Sequence, residues 1–347
     1  MSFGKKLLRS VSGFFLVFSC LGAIVATVVF FQFWLFLSLP AKPFPEKKRF
    51  FIPQRTGAYG IARLLQSKGV IRDASEFYLL CLLKHSNDRL EAGEYAFSTL
   101  ERPEEILSKI VGGKVVIYVV TLPEGSTLAE VAGIVARAHL AGFSEIIEAG
   151  RSARLAKALH IKAQDLEGYL FPDTYRFKKP VSGARIVGRM VARFWQELPA
   201  DRQNREKELG MTLSQILTLA SMIEKEAKVD PERAIIAGVF YNRLKIGMPL
   251  QSDPTAVYDL PGFSGPITSA DLKRPSPYNT YRIKGLPPGP ICNPGKKSIL
   301  AAFYPAKVPY LYFVSNNDGT HHFSVTCREH EEAVSHYYEL KDKAEKK

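Results

Sequence analysis

The chain has 347 residues, 46% apolar and 23% charged, which excludes a disordered polyelectrolyte and leaves room for two ordinary domains. Its four cysteines, Cys20, Cys81, Cys292 and Cys327, form no C-x-x-C pair; this rules out a disulfide-stapled miniprotein and argues against a cysteine-based metal site. Lys+Arg 47 against Asp+Glu 34 leaves +13, a basic excess that suits an anionic polymer or anionic lipid and by itself selects neither.

Residues 1–10 are short and basic, with Lys5, Lys6 and Arg9. Residues 11–39 carry no charge. About 20 helical residues cross a hydrocarbon core, and a signal-peptide apolar region has only roughly 7–15. The expectation is a short basic flank at 1–10 and an uncleaved transmembrane helix at 11–39, with Trp34 at the far interface. The stretch Val17-Phe18-Ser19-Cys20 resembles a lipoprotein cleavage site, but the apolar run continues well past Cys20. Lys5, Lys6 and Arg9 on one flank nearly balance Lys42, Lys47, Lys48 and Arg49 on the other, so charge alone does not orient the helix. Residues 40–48 form a Pro-rich, charged linker.

A strand, a polar turn and an amphipathic helix are then predicted three times, at Arg49–Ile71, Glu94–Gly113 and Val116–Ala138. Together these make an α+β module at 49–140, followed by an α+β domain at 141–347. Within the second domain, LEGYLFPDTYRF at Leu166–Phe177 is aromatic and broken by Gly168 and Pro172. Helices are predicted over Val187–Leu198 and Thr212–Lys228, and from Asp230-Pro231-Glu232 to Lys245, where Gly247 ends the last of them. Pro249–Gly295 reads as a long loop region, and loops of that length are usually functional. A helix at Ser298–Phe303, a hairpin from Tyr310–Ser315 and His322–Val325, and a charged final helix complete the chain.

No phosphate-binding Gly loop, G-x-S-x-G or H-E-x-x-H is present. His321 and His322 are adjacent and would point apart on a strand, which argues against a joint metal site. The candidate acids are Glu167, Asp173, Glu224, Glu226 and Asp253. A carboxyl at the end of an oily helix is desolvated, which raises its pKa and keeps a proton available for general-acid work. On the helical wheel the apolar centre runs through Ile216, Ala220, Ile223 and Ala227, and Glu224 lies nearer to it than Glu226. Tyr241, Asn242, Gln251, Ser252, Asp253, Thr255, Tyr278, Asn279, Thr280 and Tyr281 are the ring, amide and hydroxyl groups that sugar clefts use. Basic residues are sparse around them, which counts against nucleic acid.

The motifs LEGYLFPDTY, ASMIEKEA, VFYNRLKIGMPLQSDPT, SPYNTYRIKGLPPGPICNPG and PYLYFVSNNDGTHHFS resemble the bacterial endolytic murein transglycosylases, the YceG-like family, in order and spacing. The resemblance implies a LysM-like module at 49–140 and a catalytic YceG-like domain at 141–347. It also implies cleavage of the MurNAc–GlcNAc β-1,4 bond within nascent strands, leaving 1,6-anhydroMurNAc ends and terminating elongation. It assigns the acid to Glu226, against the wheel preference, with Glu224 as nearby support. Tyr241, Asn242, Gln251, Ser252, Asp253, Thr255, Tyr278, Asn279, Tyr281 and His321 become substrate groups. The departures are Cys292 and the extra His322. No metal or cofactor is implied. The expected partners are peptidoglycan strands, membrane-bound peptidoglycan synthases and inner-membrane lipid, with no nucleic acid. Because the substrate lies outside the inner membrane, the expected orientation is single-pass, N-terminus in, catalytic domain periplasmic. The rival expectations are an inactive glycan-binding scaffold and a hydrolytic muramidase using Asp253 or Glu167 as a second carboxylate.

Overall fold

The apolar N-terminal run forms one long helix, α1 (Phe3–Ser38), and within it Phe18–Ser38 is long and apolar enough to cross a membrane. The structure is a computed structural model that describes residues 3–42 and 46–345, with side-chain surroundings for 18–42 and 46–338. The middle of the expected linker, Pro43-Phe44-Pro45, lies outside the described residues, as do Met1, Ser2, Lys346 and Lys347.

The chain divides into two compact units, Met1–Tyr118 with Lys178–Pro180, and Val119–Phe177 with Val181–Lys347. In the first unit, β1 (Lys47–Ile52) is followed by α2 (Ala58–Ser67), α3 (Ala74–Leu83), β2 (Gly93–Ser98) and α4 (Pro103–Val111). β1 and β2 pair antiparallel, from Lys47 opposite Ser98 to Ile52 opposite Gly93. Alternation turns Phe50, Ile52, Tyr95 and Phe97 inward, where they meet Ile61 and Leu65 of α2, Phe77 and Leu80 of α3, and Ile106 and Ile110 of α4. Burying each such side chain contributes about 1.5–3 kcal/mol. Phe36 of α1 is buried in the same core. The predicted strand–helix pairs at Arg49–Ile71 and Glu94–Gly113 are present. α3 was not anticipated: it is apolar nearly all round, so no 3.6-residue stripe stands out in its sequence.

The second unit begins within β3 (Ile117–Thr121), which pairs with β4 (Thr174–Lys178); between them lie α5 (Leu128–Arg137), α6 (Phe143–Gly150) and α7 (Ala153–Ala158). It continues through α8 (Gly183–Glu197), α9 (Arg202–Leu209), α10 (Leu213–Glu226), a 3-10 turn at Asp230–Glu232, α11 (Arg233–Lys245), α12 (Asp253–Val257), α13 (Ser269–Lys273) and α14 (Lys296–Phe303). The hairpin β5 (Tyr312–Ser315) and β6 (His321–Ser324) precedes α15 (Cys327–Glu345). Helix α10 is the axis of this unit. Its residues Ile216–Ile223 are all buried, and it packs against α11, α12 and α14. Gly238 of α11 is fixed by close approach, since a Cβ there would lie 2.5 Å from the Ala306 carbonyl oxygen. Gly168 is fixed twice over: its φ is +86° and a Cβ would lie 2.5 Å from Pro290.

Candidate active site

Helix α10 starts at a capping box: the Thr212 hydroxyl accepts the Gln215 N–H, and the Gln215 side chain accepts the Thr212 N–H. It ends at Glu226, because Ala227 turns to extended backbone. The two glutamates of the last turn have different fates. Glu224 accepts the Gly295 N–H at 2.9 Å and lies 3.4 Å from the buried Arg233 guanidinium. Arg233 also donates to Ser298 Oγ at 2.5 Å and Asp230 Oδ1 at 3.2 Å. Glu224 therefore ties the last turn of α10 to α11 and to the start of α14.

Among the described residues Glu226 meets no guanidinium at contact distance, and its one hydrogen bond is from the Ser252 hydroxyl, which donates to Oε1 at 2.5 Å. The side chain is partly exposed, yet so closely ringed that burial pushes its carboxyl up to about 7. The Asp253 charge pushes the same way, while the Ser252 hydrogen bond and Arg243 oppose it. Arg243 is itself held away: it donates to Leu311 O at 2.6 Å and Leu250 O at 2.7 Å and lies over the Tyr312 ring.

The loops after α11 converge on this end of α10. Gln251 sits at φ +49°, a left-handed conformation costly for a residue with a side chain, and its side chain is exposed. Ser252, Thr255 and Thr280 are fully buried beneath it. The exposed Asp253 accepts the Tyr281 phenol proton at 2.5 Å. Asn279, also fully buried, donates to Leu272 O and Arg274 O and accepts the Tyr281 N–H, which shapes the YNTY turn. Tyr278 packs its ring against Tyr258 at 4.7 Å between centroids.

Other predicted site residues face the protein. Tyr241 donates to Ala302 O at 2.9 Å, and Asn242 donates to Val308 O and Tyr310 O at 2.8 and 2.9 Å. His321 lies against Glu232, with Nδ1 2.7 Å from Oε2 and the backbone N–H donating to Oε1 at 3.0 Å; His322 is exposed on the opposite side of the strand. Among the described residues no group of three or more His, Cys, Asp or Glu is arranged to hold a metal.

Glu167 is a second carboxyl with a raised pKa, pushed up to about 7 by burial. It accepts the Leu128 N–H at the start of α5 on both oxygens at 3.0 Å, the Asn293 amide at 3.2 Å and the Tyr258 phenol at 3.1 Å. Asp173 pairs with Arg193 at 2.7 Å. Cys292 is buried and donates to Ser221 O, its thiol pushed well up by burial. Sequence reasoning did not single out Arg243, Glu232 or Asn293. Arg243 shares the last turn of α11 with Lys245 and so carried no separate sequence signal.

The YceG-like family matches residues 50–336. The endolytic murein transglycosylase of Bacillus subtilis (strain 168) is 31% identical over 306 residues, covering 84% of this chain and 85% of that protein. The endolytic murein transglycosylase of Streptococcus pneumoniae (serotype 2, strain D39) is 29% identical over 322 residues; the match covers 84% of this chain but 58% of that longer protein. The crystal structure of a YceG-like protein from Listeria monocytogenes superposes with a TM-score of 0.57 at 35% identity, covering 84% of this chain and all of that one.

Proposed function

We propose that this chain, which belongs to the YceG-like family, is a lytic transglycosylase acting on peptidoglycan, with Glu226 as its single acid–base group. The observation that carries the assignment is the contrast within one helical turn. Glu224 is occupied by Arg233 and Gly295, whereas Glu226 holds a carboxyl near 7 with one hydroxyl donor. A carboxyl titrating near neutrality can give a proton and take one back in a single cycle.

In the proposed reaction the bond cut is the β-1,4 linkage between MurNAc and GlcNAc within a nascent strand. Protonated Glu226 gives its proton to the glycosidic oxygen as the C–O bond breaks. The resulting carboxylate then takes the proton of the muramic C6 hydroxyl, whose oxygen closes on the anomeric carbon to leave a 1,6-anhydro end. Ring closure within one sugar gains from proximity, so no group is needed to hold water. Gln251, Asp253, Tyr278 and Tyr281 are assigned to the glycan side of the site, and His321, held against Glu232, to the support of its hairpin. Tyr241, Asn242, Thr255 and Asn279 are assigned to holding its loops.

Further parts of the reading concern location. The apolar helix Phe18–Ser38 supports a single-pass anchor; a peptidoglycan substrate outside the inner membrane favours that membrane, with the N-terminus inside and the catalytic unit outside. The strand–helix unit that follows it is assigned as the LysM-like module. The basic excess favours contact with anionic lipid, and terminating nascent strands would place the enzyme beside peptidoglycan synthases. A hydrolytic muramidase is the second reading, because the exposed Asp253 acts electrostatically on Glu226. The test is digestion of isolated glycan strands by the full chain and by Glu226→Gln. A rate loss of about 10²–10⁴-fold is expected, and digestion at the wild-type rate would refute the assignment.

A further inference from the structure

We propose that Ser252, Thr255 and Thr280 form a buried seat that fixes which oxygen of Glu226 carries the acid proton. The inference deepens the reading of Glu226 as the acid and rests on it. All three residues are fully buried, so their hydroxyls act through Glu226 and not by touching sugar. The Ser252 N–H donates to Thr280 Oγ1 at 2.9 Å, the Thr255 hydroxyl donates to Ser252 O at 2.6 Å, and the Thr280 N–H donates to Thr255 Oγ1 at 3.1 Å. The two threonine oxygens are 2.8 Å apart. The Thr255 proton is already spent on Ser252 O, so the Thr280 hydroxyl is the donor in that contact. The Gln251 N–H donates to Thr280 O at 3.2 Å and closes the ring around the left-handed residue.

The ring engages both backbone polar atoms of Ser252 and leaves its hydroxyl to Glu226 Oε1 at 2.5 Å. Among the described residues the Ser252 hydroxyl has no other acceptor, so it donates to Oε1 in both charge states, and an unprotonated carbonyl oxygen accepts better than a protonated one. In the neutral acid the proton therefore sits on Oε2. Once the proton has left, the same donor stabilises the carboxylate, which lowers the cost of giving it up. Ser252 lies in the turn after α11 and Thr280 in the YNTY turn, so the seat also locks two loops to the catalytic carboxyl.

The test measures kcat, KM and the pH dependence of kcat/KM on isolated glycan strands, for the full chain and for Ser252→Ala, Ser252→Thr, Thr280→Val and Glu226→Gln. Ser252→Ala should lower kcat about 10-fold or more, leave KM within about 2-fold, and move the limb assigned to Glu226 to higher pH. Ser252→Thr keeps the donor and should restore kcat to within about 3-fold, with the limb back in place. Thr280→Val should move the limb the same way by less. An unmoved limb in both Ser252→Ala and Thr280→Val overturns the proposal, as does a raised KM at unchanged kcat, which would make Ser252 a substrate contact. If Ser252→Ala does not fold, Thr280→Val supplies the same readout, and an unmoved limb there is decisive. A fully active Glu226→Gln refutes the underlying reading instead; an inactive Glu226→Gln with wild-type pH profiles for the other variants refutes the seat alone.

Discussion

Replacing Glu226 by Gln should stabilise the protein at alkaline pH while it slows catalysis. Burial holds the Glu226 carboxyl at about 7 in the folded chain, against the usual 4.5. Between those values the folded state binds more protons than the unfolded one, so stability falls as pH rises. Below 4.5 both states are protonated and nothing is lost; above 7 the folded state bears the full cost of an ionised carboxyl in that setting. At 1.36 kcal/mol per pKa unit, that cost is at most about 3 kcal/mol. Glutamine keeps an oxygen to accept the Ser252 proton and carries no charge. For a domain of this size, about 2–4 °C per kcal/mol puts Glu226→Gln as much as about 6–12 °C above wild type at pH 8, with the two converging near pH 4. Glu167, raised to about 7 by burial, adds the same slope to both proteins and cancels in the difference. Thermal unfolding of the full chain in detergent across this range reads the difference directly. A variant no more stable than wild type at pH 8, or a difference that does not depend on pH, would refute the reasoning.

Glu224→Ala leaves the buried Arg233 with Asp230 as its remaining carboxylate and Gly295 without its acceptor; it should cost about 2 kcal/mol, read as a drop in melting temperature. Gly238→Ala drives a Cβ to within 2.5 Å of the Ala306 carbonyl oxygen, so overpacking should outweigh the gain in helix propensity, for a net loss of about 1–2 kcal/mol in denaturant unfolding. Asn242→Ala frees Val308 O and Tyr310 O and should cost about 2 kcal/mol while leaving KM for glycan strands unchanged in the folded protein; a raised KM would make Asn242 a substrate contact.

Local signals in the sequence located most elements of the second unit. Thr212 with Gln215, and Asp230-Pro231 ahead of α11, are start signals that depend on neighbours in sequence alone. The hairpin of β5 and β6 is readable because aromatic runs flank the Asn-Asn-Asp-Gly turn. α3 escaped because an all-round apolar helix has no period. The choice between Glu224 and Glu226 could not be made from the wheel. What separates them is Arg233, Gly295 and Ser252, which come from three other segments. Tyr241 and Asn242 show the same limit: composition marks them as groups that form hydrogen bonds, but Ala302, Val308 and Tyr310 become their partners only once the chain has folded back.

The central claim is that one carboxyl works without a water-activating partner. It is tested most directly by digesting glycan strands with the full chain in H₂¹⁸O and weighing the new ends. Unlabelled 1,6-anhydro ends are predicted, because the attacking oxygen comes from the sugar itself. Reducing ends carrying ¹⁸O would contradict the account and leave a hydrolase in its place.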